Sequence, residues 1–372
     1  MRVYVIAGEA SGDLHGANLI KAFNQQESGI TWRGWGGDRM KAEGLMLHKH
    51  IQDLAFMGFA EVIMNLKTIL RNLKSCKDDI REFKPDAVIM IDYPGFNLRI
   101  APFVRKLGIP VLYYVSPQIW AWNSNRVHGI KKHVNQVYCI LPFEKDFYAR
   151  YGMEVEYVGH PLLDELQLKQ FSDDHNPSMI IAVLPGSRKQ EISKILPVML
   201  AMVKKFPEHT FKIAGAPSID QEFYTDFMQS HKVNIEYGNT YGILQEADAA
   251  LVTSGTATLE TALIGVPEVV CYSGNPISYM IARRVVKIKY ISLVNLIMDR
   301  EVVKELIQGE LNSINLEKEL RLIIEPGKHR KKMRDDFMKL REKLGGKGAS
   351  ERTAIAMLKR IKESRLEKQQ AF

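Results

Sequence analysis

The chain has 372 residues, 46% of them hydrophobic and 25% charged, which is the composition of a folded globular protein and argues against a disordered or fibrous one. A single hydrophobic core seldom serves more than about 300 residues, so the length predicts two domains. The net charge of +8 suits anionic partners, although solubility alone would explain it, and we expect no nucleic-acid partner.

Targeting and redox features also restrict the function. The first residues lack the long apolar core of a signal peptide, and no apolar segment approaches the roughly 18 residues needed to cross a bilayer. The three cysteines, Cys76, Cys139 and Cys271, are widely separated and show no metal-binding spacing. We therefore expect a cytoplasmic protein without a zinc site.

In the first half of the chain, short apolar runs alternate with helical patterns. Strands are predicted at residues 3–7, 86–91 and 111–115, and they are separated by helices at 14–23 and 61–83 and by a helix that ends at Leu107. Strands that alternate with helices of ten or more residues predict βαβ units and a parallel sheet.

The alternation fades at residues 168–177, which have the composition of a linker, and then begins again. The predicted fold class is α/β, with two Rossmann-like, doubly wound parallel-sheet domains and C-terminal helices. We assign residues 1–172 to an N-terminal domain, 173–340 to a C-terminal domain, and 341–372 to a helical tail that packs on the N-terminal domain or on a partner subunit. A cleft between two such sheets is where ligands bind.

A strand-to-helix turn at residues 184–188, Leu-Pro-Gly-Ser-Arg, has a pattern typical of anion sites. Gly186 lets the backbone approach a ligand, and Ser187 can cap the following helix, whose first N–H groups attract phosphate. Arg188 adds a forked, permanently charged donor. A capped helix with a solvated arginine is the alternative interpretation of this turn.

A second turn of this kind lies at residues 253–260, where Ser254, Gly255 and Thr256 open a helix. Two such helix starts in one domain predict a diphosphate ligand. Glu260 can accept hydrogen bonds from a ribose, or it is an exposed helix glutamate. Because neither turn matches the P-loop or dinucleotide-binding pattern, ATPase and dinucleotide functions are disfavoured.

Carboxylates follow two strands of the first half. Glu9 comes directly after the first strand and Asp92 ends a fully apolar one, and a carboxylate at the carboxyl edge of a sheet suits a general base. Ser11 and His15 lie in the turn that contains Glu9 and are expected to contact substrate, whereas capping of its own helix explains Asp13. Since metal-binding and G-x-S-x-G motifs are missing, we expect no metal, no cofactor and no serine-hydrolase chemistry.

Residues 54–64 are unusually apolar, and four basic residues follow at helical spacing: Lys67, Arg71, Lys74 and Lys77. Basic residues beside an apolar face suggest docking on a membrane surface or contact with an acyl chain. The alternative is an ordinary helix that packs in the core. Considered by itself, the apolar stretch slightly favours this second interpretation.

Seven motifs together resemble the lipid-A-disaccharide synthase family. They are residues 8–13 (GEASGD), 36–40 (GGDRM), 91–97 (IDYPGFN), 116–122 (SPQIWAW), 159–162 (GHPL), 184–188 (LPGSR) and 254–260 (SGTATLE). The resemblance runs from the first strand to at least Gln308. It implies the GT-B fold of glycosyltransferase family 19, with an N-terminal domain that binds the acceptor and lipid and a C-terminal domain that binds the UDP-sugar.

The same resemblance implies an inverting hexosyltransferase. UDP-2,3-diacylglucosamine and 2,3-diacylglucosamine 1-phosphate (lipid X) would give the β-1,6-linked lipid A disaccharide 1-phosphate and UDP. Arg188 would face the diphosphate and Glu260 would lie on the nucleotide side, while Glu9 and Asp92 would be cleft carboxylates.

Two further polar positions are implied to bind substrate, namely Asn295 and Gln308. Val294 stands where the family typically has a proline before this asparagine. The resemblance also implies a peripheral location on the cytoplasmic face of the inner membrane, and it leaves open a C-terminally swapped homodimer.

Attack by the acceptor's 6-hydroxyl requires removal of its proton, and we favour Asp92 as the base, with Glu9 in support, over His15. Another UDP-sugar enzyme of the same architecture is the alternative, either a UDP-sugar 2-epimerase or a different UDP-hexosamine transferase. A non-catalytic lipid-binding module is a more distant one.

Overall fold

The computed structural model describes residues 1–54, 66–166, 178–228, 233–275, 279 and 288–370. The chain forms two compact units, one of Met1–Asp164 with Gly346–Phe372 and the other of Glu165–Gly345. Of the apolar stretch at 54–64, only Leu54 lies within the described residues, and it is buried. The linker predicted at 168–177 lies outside them.

The sheet of the first unit has seven strands: β1 (Arg2–Ile6), β2 (Thr31–Gly36), β3 (Leu45–His50), β4 (Ala87–Ile91), β5 (Val111–Tyr114), β6 (Gln136–Cys139) and β7 (Glu156–Tyr157). Their order is β3-β2-β1-β4-β5-β6-β7, and every neighbouring pair is parallel. The strand order reverses between β1 and β4, which is the doubly wound pattern. The predicted α/β class with parallel sheets is confirmed.

Helices cover this sheet: α1 (Ala10–Gln26), α2 (Asp38–Ala42), α3 (Leu66–Phe83), α4 (Pro94–Lys106), α5 (Ile119–Trp122), α6 (Arg126–His133), α7 (Glu144–Ala149) and α8 (Leu162–Glu165). Residues 3–6 of β1 and 87–91 of β4 are fully buried, because a parallel sheet with helices on both faces leaves no strand face in water. Because β1 and β4 are adjacent and parallel, the carboxyl ends of these two central strands lie side by side.

The second unit repeats this architecture with six parallel strands: β8 (Ile180–Leu184), β9 (Thr210–Gly215), β10 (Asn234–Tyr237), β11 (Ala249–Thr253), β12 (Glu268–Tyr272) and β13 (Lys304–Ile307). Their order is β10-β9-β8-β11-β12-β13. The helices are α9 (Lys189–Leu200), α10 (Gln221–Met228), α11 (Thr240–Glu246), α12 (Thr256–Ile264), α13 (Leu293–Met298), α14 (Ser313–Ile324) and α15 (Lys328–Leu344). Here β8 and β11 are the adjacent central strands.

The last helix, α16 (Ala349–Gln370), belongs to the first unit and packs along α1. The carboxylate of Asp164 accepts hydrogen bonds from the backbone N–H groups of Gly348, Ala349 and Ser350 and from the Ser350 hydroxyl, at 2.6 to 3.2 Å. A carboxylate at a helix N-terminus is a strong cap. Within the described ranges, no helix combines the length and apolar character that a membrane span needs.

Candidate functional site

The loops that follow β1 and β4 are in direct contact at the carboxyl edge of the first sheet. A Cβ atom on Gly8 would overlap the ring of Tyr93, so residue 8 must be glycine for this packing. The contact brings Glu9, directly after Gly8, near Asp92, directly before Tyr93. Two of the predicted site residues are thereby placed in one neighbourhood.

The backbone of Asp92 is strained and firmly held. Asp92 and Tyr93 have φ values of 43° and 47°, a left-handed conformation that costs a non-glycine residue roughly 1–2 kcal/mol. The carbonyl oxygen of Asp92 accepts hydrogen bonds from Asn97 Nδ2 at 2.7 Å and from the Tyr113 hydroxyl at 2.5 Å. Its N–H donates to the carbonyl of Tyr114 at 3.1 Å. These three bonds hold the backbone of Asp92 in this conformation.

Neither Asn97 nor Tyr113 was assigned a role from the sequence. Both are fully buried, and together they hold the strained turn. The available signal was the position of Asn97 within the motif at residues 91–97, three residues after Pro94. A buried amide so close to a tight turn is a common way to satisfy the turn's carbonyls.

The electrostatic environment raises the pKa of the Asp92 carboxyl to about 6. Burial is the main cause, the negative charge of Glu9 adds to it, and a hydrogen bond from the Tyr93 backbone opposes it. Glu9 itself is exposed at the N-cap of α1, and its side chain makes no capping hydrogen bond. A carboxylate with a pKa near neutrality is a better proton acceptor than an ordinary surface aspartate.

Asp13 has a structural role that differs from the expected one. Its carboxylate, in the first turn of α1, accepts hydrogen bonds from the N–H groups of Gly37, Arg39 and Met40 at 2.6 to 3.2 Å. It therefore caps the start of α2, and the prediction that it caps its own helix is wrong. Ser11, also in the first turn of α1, is exposed.

His15 is only 8% exposed, and burial lowers its pKa to about 4. Within the described part of the chain its Nδ1 has no hydrogen-bond partner. The negative charge of Asp164 opposes this shift, while burial and, to a smaller extent, the charge of His15 lower the pKa of His160 to about 3. The pair is uncharged at neutral pH, where a group with a pKa of about 4 is a weak base.

In the second unit, the turn after β8 meets the end of β11. Gly186 has a φ of 107°, and a Cβ atom there would lie 3.4 Å from Thr253 Cγ2. Arg188, rather than Ser187, occupies the N-cap position of α9, and no side chain caps this helix. The expectation that Ser187 caps it is therefore wrong. Ser187 and Arg188 are both exposed, and Arg188 Nη1 pairs with Glu191 Oε1 at 3.2 Å.

The start of α12 lies at the end of the neighbouring strand β11. Gly255 is its N-cap and Thr256 its first residue, and both are exposed, while the Ser254 hydroxyl donates to the carbonyl of Ile291 at 3.1 Å. Glu260 is largely buried, and this burial raises the pKa of its carboxyl. A hydrogen bond with the Tyr241 side chain has the opposite, smaller effect on that pKa. Glu260 is therefore not the exposed helix glutamate of the alternative interpretation.

Asn295 serves the structure. Its Nδ2 donates to the carbonyl of Val303 and to Glu305 Oε1, both at 2.9 Å, and its Oδ1 accepts from the N–H groups of Val302 and Val303. The residue is fully buried and its amide has used its four hydrogen-bonding positions. The amide therefore ties α13 to β13, and the expectation that it binds substrate needs correction.

Gln308 follows β13 at the carboxyl edge of the second sheet. It has a positive φ of 54°. Its Nε2 is buried and, among the described residues, lacks a hydrogen-bond partner. A buried donor without a partner is costly and favours a polar ligand at this position. The described residues contain no group of three or more His, Cys, Asp or Glu side chains arranged to hold a metal.

Comparisons with known proteins agree with the motifs. A family model described as lipid-A-disaccharide synthetase matches residues 3–359. The lipid-A-disaccharide synthase of Syntrophus aciditrophicus is 40% identical over 97% of this chain and 98% of its own length. The synthase of Myxococcus xanthus is 37% identical over 98% and 99%, respectively.

Solved structures show the fold. A UDP-GlcNAc 2-epimerase from Neisseria meningitidis, bound to UDP-GlcNAc, has a TM-score of 0.65 at 16% identity and covers 96% of this chain and all of that one. The glycotransferase of kitacinnamycin has a TM-score of 0.65 at 14% identity, over 97% and 98%. Both likenesses support the two Rossmann-like units.

The coupling between Glu9 and Asp92 can be measured directly. We expect the Asp92 carboxyl to titrate with an apparent pKa of about 6 in a ¹³C carboxyl NMR titration. Glu9→Gln should lower this pKa, because it removes a negative charge that disfavours ionisation. The control Glu154→Gln, which removes an exposed charge of the same unit, should leave it unchanged. An Asp92 pKa that is the same in the parent and in Glu9→Gln would contradict the coupling.

Proposed function

Because the chain belongs to the lipid-A-disaccharide synthase family and is therefore a glycosyltransferase, we propose that it joins UDP-2,3-diacylglucosamine to 2,3-diacylglucosamine 1-phosphate (lipid X). The oxygen of the acceptor's 6-hydroxyl bonds to the donor's anomeric carbon. The bond from that carbon to the diphosphate breaks, UDP leaves, and the hydroxyl proton passes to a base. The product is the β-1,6-linked disaccharide 1-phosphate.

The observation that carries this proposal is the carboxyl of Asp92, which has a raised pKa and stands on a strained backbone held by hydrogen bonds. Conversion of an α-linked donor to a β linkage is a single displacement, which needs one base to remove the hydroxyl proton as the bond forms. Asp92 meets that need, since its pKa of about 6 leaves it mostly ionised at pH 7 yet more basic than a surface aspartate. Glu9 supports it by raising that pKa.

We assign the leaving diphosphate to the two turns of the second unit. Gly186, Ser187 and Arg188 form one, and residues 254–256 form the other, at the ends of the adjacent strands β8 and β11. The Arg188 side chain is 67% exposed in its pair with Glu191. An exposed ion pair contributes only about 0–1 kcal/mol, so Arg188 can exchange this partner for a phosphate at little cost.

The remaining polar groups of this half suit the rest of the nucleotide. Glu260, largely buried one turn into α12, is assigned to the ribose, and Gln308 offers its buried Nε2. On the acceptor side, Ser11 is exposed, and His15 is uncharged at neutral pH. We assign to both residues hydrogen bonds with the acceptor rather than removal of its proton. The likeness to an epimerase shows the fold alone, and no observation favours that alternative.

We further propose that the protein works on the cytoplasmic face of the inner membrane as a peripheral protein. Lys67, Arg71 and Lys74 are exposed on α3, Lys77 is partly exposed, and Leu70 is 58% exposed beside them. Such a basic face with an apolar residue suits an anionic leaflet. The domain boundaries near residues 172 and 340 stay predictions beside the unit limits at 164 and 345. We also propose a homodimer in which the C-terminal helices are exchanged between the two subunits.

The role of Asp92 predicts the effect of Asp92→Asn, which keeps the shape and removes the basicity. The kcat should fall by at least about a hundredfold, while the dissociation constant of UDP stays near the parent's, because UDP is assigned to the second unit. Asp78→Asn, an exposed pair with Arg81, is the matched control and should retain activity. Near-parental kcat in Asp92→Asn would overturn the assignment.

A folding control accompanies this variant. Asp92 is harder to ionise in the folded chain than in the unfolded one, so its carboxyl lowers stability as the pH rises from about 4 towards 6. Asp92→Asn removes this effect, and its thermal midpoint at pH 8 should equal or exceed that of the parent. Inactivity with preserved stability is then a chemical effect.

Arg188 is predicted to stabilise the negative charge that develops on departing UDP. Arg188→Ala should lower kcat/KM by about a hundredfold, or about 3 kcal/mol of transition-state stabilisation. Arg188→Lys should recover only part of this, since a lysine cannot bind two phosphate oxygens in the same fork. The exposed Lys204→Ala is the control, and unchanged turnover in Arg188→Ala at low and high donor concentration would refute the role.

A further inference from the structure

A cavity of about 450 Å³ opens in the first unit beside the turn that holds Asp92. Its walls come from the start of α4, the residues before α6, and α6 itself. The lining groups that matter here are Pro94, Gly95, Arg99, Arg126, Gly129 and His133. None of these residues was singled out by the motifs discussed above, except as part of the stretch at 91–97.

The charge of this cavity has one sign. Arg99 and Arg126 are permanently charged, and no carboxylate is among the described residues that line it. The pKa of His133 is lowered by burial and by the positive charges of Lys132 and Arg105, which shows that the surroundings are cationic as well. A cationic pocket without an acidic side chain suits an anion with several oxygen acceptors.

The cavity also has open backbone surfaces. A Cβ atom built on Gly95 or on Gly129 would meet no atom within 4 Å, so these two glycines leave space in the wall that a side chain would take. Asn123 and Asn125 add amide groups to the same wall. Room, donors and positive charge are therefore present together.

The cavity lies close in the chain to Asp92, the base of the proposed reaction. Pro94 follows Asp92 by two residues, and two residues of extended chain span at most about 7 Å. The charge of Arg126 acts on the Tyr113 phenol, whose hydroxyl donates to the carbonyl of Asp92. The part of the cavity wall formed by Pro94 therefore lies next to the turn that holds Asp92.

We propose that this cavity binds the phosphate monoester of the acceptor, with Arg99 and Arg126 as its donors. The inference rests on the proposed function, in which one acceptor sugar carries a phosphate on its anomeric carbon and a reacting hydroxyl on carbon 6. Carbon 1 and carbon 5, which carries carbon 6, are both bonded to the ring oxygen, so the phosphate and the 6-hydroxyl project from neighbouring positions of one rigid ring. Holding the phosphate in the cavity turns the 6-hydroxyl towards Asp92, and it makes the phosphate a requirement for efficient transfer.

The test compares two acceptors in detergent micelles, diacylglucosamine 1-phosphate and the same glycolipid without its phosphate. For each of Arg99→Ala and Arg126→Ala, kcat/KM for the phosphorylated acceptor should fall about tenfold to a hundredfold. The value for the dephosphorylated acceptor, and the KM of the donor, should change little. Arg99→Lys and Arg126→Lys should recover part of the loss, and Lys106→Ala, an exposed cation of α4 outside the cavity, should match the parent.

Three outcomes would overturn the inference. An equal loss of kcat/KM with both acceptors would give the arginines a structural role. A lowered thermal midpoint of the Arg99→Ala variant would indicate the same. A raised donor KM would mean that the cavity holds the donor diphosphate instead. An unchanged preference for the phosphorylated acceptor would exclude the cavity as its site. Failure of the proposed function is a separate result, since the parent itself would then transfer no sugar.

Discussion

The contact between Gly8 and Tyr93 is the constraint on which the rest of the site depends. It exists only because residue 8 has no side chain, and it holds together the loops that follow the two central strands of the first sheet. The strained conformation of Asp92 and Tyr93 persists because Asn97, Tyr113 and the backbone of Tyr114 bind the Asp92 peptide groups. Such strain is retained where the surroundings over-determine it.

The same packing sets the chemistry of Asp92. A carboxyl that is partly removed from water and placed near a second negative charge is reluctant to ionise, which makes it a stronger base once ionised. The arrangement has a cost in stability at neutral pH, and the hydrogen bonds to the Asp92 backbone offset part of it. Basicity and strain therefore have one structural origin.

The second unit uses the same topology for a different purpose. Its adjacent central strands, β8 and β11, end in turns built for close backbone approach, at Gly186 and Gly255. Exposed Arg188 supplies a charge that can change partner, whereas buried Asn295 and Glu305 hold the neighbouring loop. In this unit, some side chains are exposed and available to a ligand, and others are buried and hold the loops in position.

The sequence predicted those strands that consist of a continuous run of apolar residues. Within the strand predicted at 86–91, residues 87–91 are apolar and include three β-branched side chains, and β4 (Ala87–Ile91) lies there. By contrast, β2 (Thr31–Gly36) contains two glycines and an arginine, and β3 (Leu45–His50) ends in Leu-His-Lys-His, so neither has the apolar run that indicates a strand. Neighbouring strands, rather than local preference, make these segments extended.

The site divides in the same way. Glu9, Asp92 and Arg188 could be located from the ends of predicted strands, because the topology of a parallel sheet places strand ends at one edge. The capping of α2 by Asp13 and the pairing of Asn295 with Glu305 could not be predicted, since they join segments separated in the chain. The Arg99 and Arg126 cavity likewise depends on how α4 and α6 pack.

The most direct test of the account is the reaction itself, carried out with purified protein, UDP-2,3-diacylglucosamine and lipid X. We measure free UDP with and without lipid X, and we determine the configuration of the new glycosidic bond by the anomeric ¹H coupling of the product. The account predicts UDP release that requires lipid X and a product with a β linkage from carbon 1 to oxygen 6. UDP release without acceptor, or a product that retains the α configuration, would contradict it.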